Sequence, residues 1–236
     1  MYQPFLCASL GLFGKNITSE ILSGFLNKIP KQFKYWDIYL NTANGLPVEP
    51  YKLYKRTNYI LSLNKTYNEL FNNFRTSYKQ LVKKAVLNGL TLKQNINIKE
   101  ITKLAKNKLE QTSKLKKNDL KNFEQLYETL YAKNKATNYG IYLKDELLAS
   151  GAFLFSHNRA YYILAGNKNK GRTLGASQLV IDAFIKQHAG KNIELDFEGS
   201  NIPGIAFFFK GFGARIEEYP GLKYNRLPAI LRRLKK

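Results

Sequence analysis

Apolar residues recur along the chain at two spacings, and each spacing predicts a kind of element. Ile193, Leu195 and Phe197 alternate with Glu194, Asp196 and Glu198, which predicts a strand with one apolar and one acidic face. Gly199, Ser200 and Asn201 end that strand, and Pro203 suits the first turn of a helix. Ile205 to Phe209 is wholly apolar, which predicts a helix buried nearly all round. Lys210 closes it, and Gly211 and Gly213 can take the positive φ that stops a helix. Asp196 and Glu198 thus share a face at the end of a strand, with Lys210 across a short turn.

The same reading covers the rest. Phe5 to Phe13 reads as a strand pair or one bent strand. Thr18 or Ser19 can cap a helix with Ile21, Leu22, Phe25, Leu26 and Ile29 at helical spacing, ended by Pro30. Tyr35 to Leu40 and Tyr59 to Leu63 read as strands, separated by a loop rich in Asn, Gly and Pro. Asn68 to Asn88 reads as one long helix on the stripe Leu70, Phe71, Phe74, Tyr78, Leu81, Val82 and Ala85. A strand at Leu90 to Gln94 and helices at Ile98–Lys108 and Asn118–Lys133 follow. Strands Tyr139–Leu143, Leu147–Phe155 and Ala160–Ala165 form a meander, with turns at Lys144 to Glu146 and at Ser156 to Asn158. A helix from Ala176 to His188, a strand or hairpin from Arg215 to Tyr224 and a basic helical tail complete the chain. The stretches 19–28 and 35–47 echo 177–186 and 192–204: helix, strand, then an Asn-containing turn before a proline. The echo suggests two related half-domains, the second holding the strand carboxylates.

Composition narrows this picture. The 236 residues are 44% hydrophobic and 14% aromatic, ample for a packed core. Cys7 alone cannot form an internal disulfide. No apolar run reaches the ~18 residues that span a bilayer, and the apolar start lacks a basic lead and carries Pro4, so a soluble, cytoplasmic protein is expected. The net charge is +21. It favours a polyanionic partner, or else places lysine on every solvated face. Residues Arg75 to Lys117 concentrate it, with 12 Lys or Arg against Glu100 and Glu110. Lys79, Lys83 and Lys84 lie there, as an anion-binding face or as solvated charge near a helix C-terminus. His157 and His188 have no ligand-spaced partners, so no metal is expected.

DFEGS, then PG, then FFFKGFGA, then Tyr-Pro-Gly-Leu-Lys-Tyr from Tyr219 to Tyr224 resembles the C-terminal half of the Fem-type peptidoglycan-bridge aminoacyltransferases. These are built on GNAT (acyl-CoA N-acyltransferase) folds, and the order of elements from about Leu120 onward is similar to a GNAT domain. The resemblance implies an α/β fold with a mixed, largely antiparallel sheet flanked by helices, as one complete unit and one partial N-terminal repeat. It implies residues 1–75 as the partial half, 76–117 as a basic helical linker and 118–236 as the complete domain. It implies acyl or aminoacyl transfer to an amine on a cell-wall or other envelope precursor, with acyl-CoA or aminoacyl-tRNA as donor and no other cofactor. Arg172, Gly175, Ala176 and Ser177 fall where GNAT enzymes bind the pyrophosphate on a helix N-terminus, with Ser177 where Gly or Ala is usual. Lys210 matches the lysine of the FK-x-GFG motif, which would stabilise an oxyanion. Asp196 and Glu198 would accept the proton of the attacking amine, or else pair with Lys210 or Lys223. Lys79, Lys83, Lys84 and Tyr224 are expected to hold substrate. The alternative is a catalytically silent module that binds an anion such as RNA.

In the resembling family a YQPF-like stretch is preceded by further elements, whereas here it spans residues 2 to 5. The expectation is an incomplete first repeat whose Phe5–Phe13 strand, or its neighbour, lies at an exposed edge and pairs with a second copy in a homodimer.

Overall fold

A computed structural model describes residues 5–7, 9–112, 115–199 and 201–233. Ser200 of the expected strand-ending turn, the first residues of the YQPF stretch, and residues 234–236 of the tail lie outside them. In chain order the elements are α1 (Ser19–Asn27), β1 (Tyr35–Tyr39), β2 (Lys52–Ser62), α2 (Tyr67–Asn72), α3 (Thr76–Leu87), β3 (Leu90–Gln94), α4 (Ile98–Thr112) and α5 (Asp119–Tyr131). There follow β4 (Ala136–Leu143), β5 (Glu146–Ser156), β6 (Arg159–Asn167), α6 (Asn169–Thr173), α7 (Ala176–His188), β7 (Glu194–Asp196), α8 (Pro203–Lys210), β8 (Arg215–Asn225) and α9 (Ala229–Arg233). The residues group into two compact units, 1–58 with 216–236, and 59–215. Residues 76–117, expected as a linker, fall inside the second unit.

In the first unit the strand order is β1-β8-β2. β1 runs antiparallel to β8, with Trp36 opposite Tyr224 and Ile38 opposite Leu222. Its core is Leu22 and Leu26 of α1 with Trp36, Ile38, Leu40, Val48, Tyr51 and Leu222. Thr18 caps α1, its Oγ1 accepting from the Ile21 N–H. The Phe5–Phe13 segment departs from expectation. Leu10 makes only an isolated parallel bridge to Leu40. Beyond it the backbone is held by side chains: Asn44 Oδ1 accepts from Leu12 N–H at 2.7 Å, and Asn41 Nδ2 donates to Leu12 O at 2.8 Å. Asparagines from the following loop therefore satisfy groups that an edge strand would leave open.

In the second unit the order is β2-β7-β6-β5-β4-β3. β3 through β6 form an antiparallel meander, β7 lies parallel to β6, and Ile60 to Ser62 of β2 run antiparallel to β7. This is the mixed α/β sheet the resemblance implies, with the strand carrying Leu195 next to the one carrying Ala160. Successive side chains on β4 meet different helices. Tyr139 packs edge-on to Phe184 of α7, and Asn138 donates to the Tyr127 hydroxyl of α5 at 2.8 Å. The strand's alternation thus puts α7 and α5 on opposite faces. The core on the α7 side includes Phe153, Phe184, Leu195, Phe197 and Phe212.

Two helices differ from expectation. Asn68–Asn88 is not continuous but splits into α2 and α3. Thr66 and Glu69 close a capping box on α2, and the Arg75 N–H donates to Gly211 O at 2.8 Å instead of continuing a helical ladder. Phe74 packs against both Phe71 and Phe212 at the break, so the apolar stripe runs on while the backbone does not. Helix α8 is not buried all round: Phe209 is buried, but Phe207 is 60% exposed. Arg75 lies over the Phe207 ring at 3.6 Å, a cation–π contact that suits an aromatic at the surface. Of the two glycines after α8, Gly213 has the positive φ, +80°. Gly211 is helical and serves close packing, since a Cβ there would lie 2.2 Å from the Tyr78 ring.

Candidate functional site

The parallel ladder between β6 and β7 is short. Arg159, Ala160 and Tyr161 face Glu194, Leu195 and Asp196, and β6 then runs on to Asn167 alone on that side. A register shift between β5 and β6 at Ala152/Phe153 lies beside the point of divergence. Beyond it lies a cavity of about 430 Å³. Its apolar part is Tyr162 and Ala165 of β6 with Ile205, Phe208 and Phe209 of α8. Its polar part is Asn167, Arg172, Ser177, Gln178 and Lys108.

The loop between α6 and α7 builds the polar end. Gly175 takes φ +80° and stands at the N-cap of α7, with no side chain capping the helix. A Cβ there would also lie 2.8 Å from Leu81 O, so the position demands glycine twice over. The first N–H groups of a 13-residue helix consequently have no side-chain cap, at the positive end of its dipole. Two polar atoms beside them, Ser177 Oγ and Gln178 Oε1, are buried and meet no hydrogen-bond partner among the described residues. Arg172 is exposed and oriented by Asn167, its Nε donating to Oδ1 at 2.6 Å. Burial, then the neighbouring Arg172 charge, holds the Lys108 ammonium below its usual range. Burial pushes the Tyr162 phenol up, so it stays neutral. Of Arg172, Gly175, Ala176 and Ser177, singled out in the sequence, Arg172 and Ser177 line this cavity.

The carboxylates form a second cluster at the end of β7. Asp196 is buried, and its partner is Arg159, a residue the sequence reading passed over. Arg159 Nη1 donates to Asp196 at 2.9 Å and Nη2 to Glu194 at 3.0 Å, while Arg215 reaches Glu194 from the other side at 2.9 Å. Asp196 Oδ1 also accepts from the Glu198 N–H at 2.7 Å. That bond turns the chain so that Glu198 sits at φ +62°, rare for a residue with a side chain. Burial, and then the Asp196 charge, pushes the Glu198 carboxyl up to about 8, with Arg159 acting weakly the other way. Two acids differing this much in environment are suited to different roles.

The other expected residues do not line that cavity. Lys210 ends α8 with an exposed side chain, its ammonium 5.8 Å from the Tyr59 ring. Lys83 and Lys84 are exposed on α3, and Lys79 is half-buried. Lys79 donates to Asn72 O at 2.9 Å, and Lys83 lines a different cavity. Tyr224 belongs to the first unit, where it packs on Trp36 at 4.5 Å and Tyr51 at 5.2 Å. Arg159 could have been found from its place directly after the Ser156–Asn158 turn, at the start of the strand that receives β7.

No family model matches the chain, and no curated protein matches it. Solved structures do. FemX is similar over 86% of this chain and 76% of that one, with a TM-score of 0.59 and 15% identity. L-PGS from Bacillus licheniformis is similar over 92% of this chain and 76% of that one, at 0.56 and 10% identity. A GCN5-related N-acetyltransferase from Kribbella flavida is similar over 92% of this chain and 79% of that one, at 0.53 and 10% identity. The chain thus has the fold that FemX and the GCN5-related N-acetyltransferases share.

Proposed function

We propose that the second unit transfers an acyl group from an anionic carrier to an amine. One observation carries this reading: the uncapped N-terminus of α7, with Arg172 and Lys108, opens on a cavity whose other end is apolar. Helix N–H groups and cations suit the carrier's phosphates, and Ile205, Phe208 and Phe209 suit an acyl group and its linker. The fold shared with FemX and a GCN5-related N-acetyltransferase agrees with it. The amine nitrogen attacks the acyl carbonyl and forms the new C–N bond. The carbonyl oxygen carries the charge until the bond to the carrier's sulfur or oxygen breaks. Glu198 takes the proton that the nitrogen sheds, a role its raised pKa favours, and Asp196 with Arg159 fixes its backbone. Lys210 is the candidate cation for the oxyanion. The donor is acyl-CoA or an aminoacyl-tRNA. The resemblance of DFEGS and FFFKGFGA to Fem-type sequences favours a cell-wall precursor as acceptor.

The test is a melting-point titration with acetyl-CoA, longer acyl-CoAs and aminoacyl-tRNA. A donor that binds the native state raises the midpoint by mass action, roughly 3 kcal/mol at a hundredfold excess over Kd. One donor class should give a saturable rise that Arg172→Ala weakens. No rise with any of them would end the proposal.

A further inference from the structure

On the second unit, away from the candidate site, α2, α3, β3 and α7 surround an open groove of about 860 Å³. Its walls are apolar, with Phe71, Val82, Leu90 and Leu179 among them. Its floor holds one carboxylate, Asp182, which is 5% exposed and accepts from the Tyr67 hydroxyl at 2.8 Å. Burial raises that carboxyl to about 6, against the Tyr67 hydrogen bond and the Lys186 charge, and the basic residues lining the groove are Lys83 and Lys186.

The rim is unusual for a surface facing water. On α3, Tyr78, Val82 and Ala85 are buried. At about 100° per residue, Lys83, Val86 and Leu87 fall on the exposed arc that adjoins this stripe, with half-buried Lys79 one turn before Lys83. Val86 is 60% exposed and Leu87 85%, and Leu92 on the neighbouring edge strand β3 is 47% exposed. Neither α3 nor β3 contains an acidic residue. Aliphatic side chains thus stand out from the surface with lysines beside them, while Asp182, the carboxylate that lines the groove, lies buried beneath.

We propose that this face docks on an anionic lipid bilayer, with Leu87, Val86 and Leu92 entering the acyl boundary and Lys83 and Lys186 lying at the headgroups. Charge complementarity selects the bilayer. Phosphates in a headgroup layer match the lysines, and the apolar layer beneath takes the leucines and valine. A nucleic acid would satisfy the lysines and leave Val86, Leu87 and Leu92 in water. The face would bring the protein to a membrane without a spanning helix, and no helix among the described residues is long and apolar enough to cross one.

Vesicle flotation tests this with phosphatidylcholine alone and with phosphatidylcholine containing phosphatidylglycerol. The protein should float with the anionic vesicles only, and less as salt rises. Leu87→Asp should cut the bound fraction roughly tenfold or more, since it exchanges an inserted aliphatic for a charge. Its melting point should not move, because Leu87 is not part of the core. Lys83→Gln with Lys186→Gln should weaken binding and flatten its salt dependence. Equal binding to neutral vesicles, no flotation, or unchanged flotation of Leu87→Asp would each overturn the proposal. So would a dimer that Leu87→Asp dissolves in the absence of vesicles, since a second copy would then own the face.

Discussion

Glu198 shows how one backbone hydrogen bond can set the chemistry of a side chain. Its N–H is taken by Asp196, its φ is positive, and its carboxyl is left in a poorly hydrated place beside an ionised aspartate. A carboxyl whose pKa is higher in the folded state than in the unfolded chain binds its proton more tightly when folded. Its contribution to stability is complete below about 4.5 and disappears as pH rises through about 8. Between those values the native protein should lose on the order of 2–4 kcal/mol from this group alone. Glu198→Gln cannot ionise and should remove that part of the decline, so the melting curves of the two proteins should converge near pH 5 and separate toward pH 8, with the variant above. Parallel curves across that range would show that Glu198 ionises normally. The same value bears on turnover: a base must be unprotonated, so the parent's rate should climb through pH 8 and the variant's should not.

At the scale of elements, what was legible followed from local periodicity, and what was not followed from contacts made far along the chain. The meander β4–β6, helix α7 and strand β7 could be read because alternation and helical spacing record which face is buried. The break between α2 and α3 could not, because the group that takes the Arg75 N–H is Gly211 O, far away in sequence. The exposure of α8 was equally hidden. An apolar run states that a surface wants cover, not what covers it, and here one side meets Phe197 through Phe209 while Phe207 meets the Arg75 guanidinium. Of the candidate site, the Arg172–Ser177 loop was legible as glycine before a helix. The pairing of Arg159 with Asp196 was not, because the register of two parallel strands is set by the whole sheet. Gly175 concentrates the legible part. Gly175→Ala puts a side chain at φ +80° and a Cβ 2.8 Å from Leu81 O, which is backbone and cannot swing away. A loss of roughly 2 kcal/mol or more in urea unfolding is expected from the left-handed conformation and the clash together. Below its melting point the variant should also bind donor more weakly, since the first turn of α7 must shift. A cost under about 0.5 kcal/mol, ordinary for a surface site, would show that the loop has room the geometry denies it.

At the scale of the whole molecule the net charge of +21 acts on folding and on binding with opposite signs. Local pairs are few and mostly at the surface, such as Lys55 with Glu218 at 2.8 Å and Lys168 with Glu146 at 2.7 Å. Exposed pairs like these contribute little. The more buried pair of Arg159 with Asp196 is shielded from salt by its surroundings. What remains is repulsion among many lysines spaced over the surface, which opposes compaction. Salt should relieve it. Between about 10 mM and 150 mM the screening length falls from roughly 30 Å to 8 Å, shorter than the separation of most of these charges. The urea midpoint should therefore rise over that interval, by on the order of 1 kcal/mol, with an unchanged dependence on denaturant. Over the same interval the affinity for a phosphate-bearing donor should fall, because the field that gathers the anion is the field that strains the fold. Sodium chloride and sodium fluoride should act alike, which separates screening from binding of a particular anion. A midpoint that falls with salt would mean that the attractive pairs outweigh the repulsion, and that the lysines are arranged to be neutralised within the chain rather than by a partner.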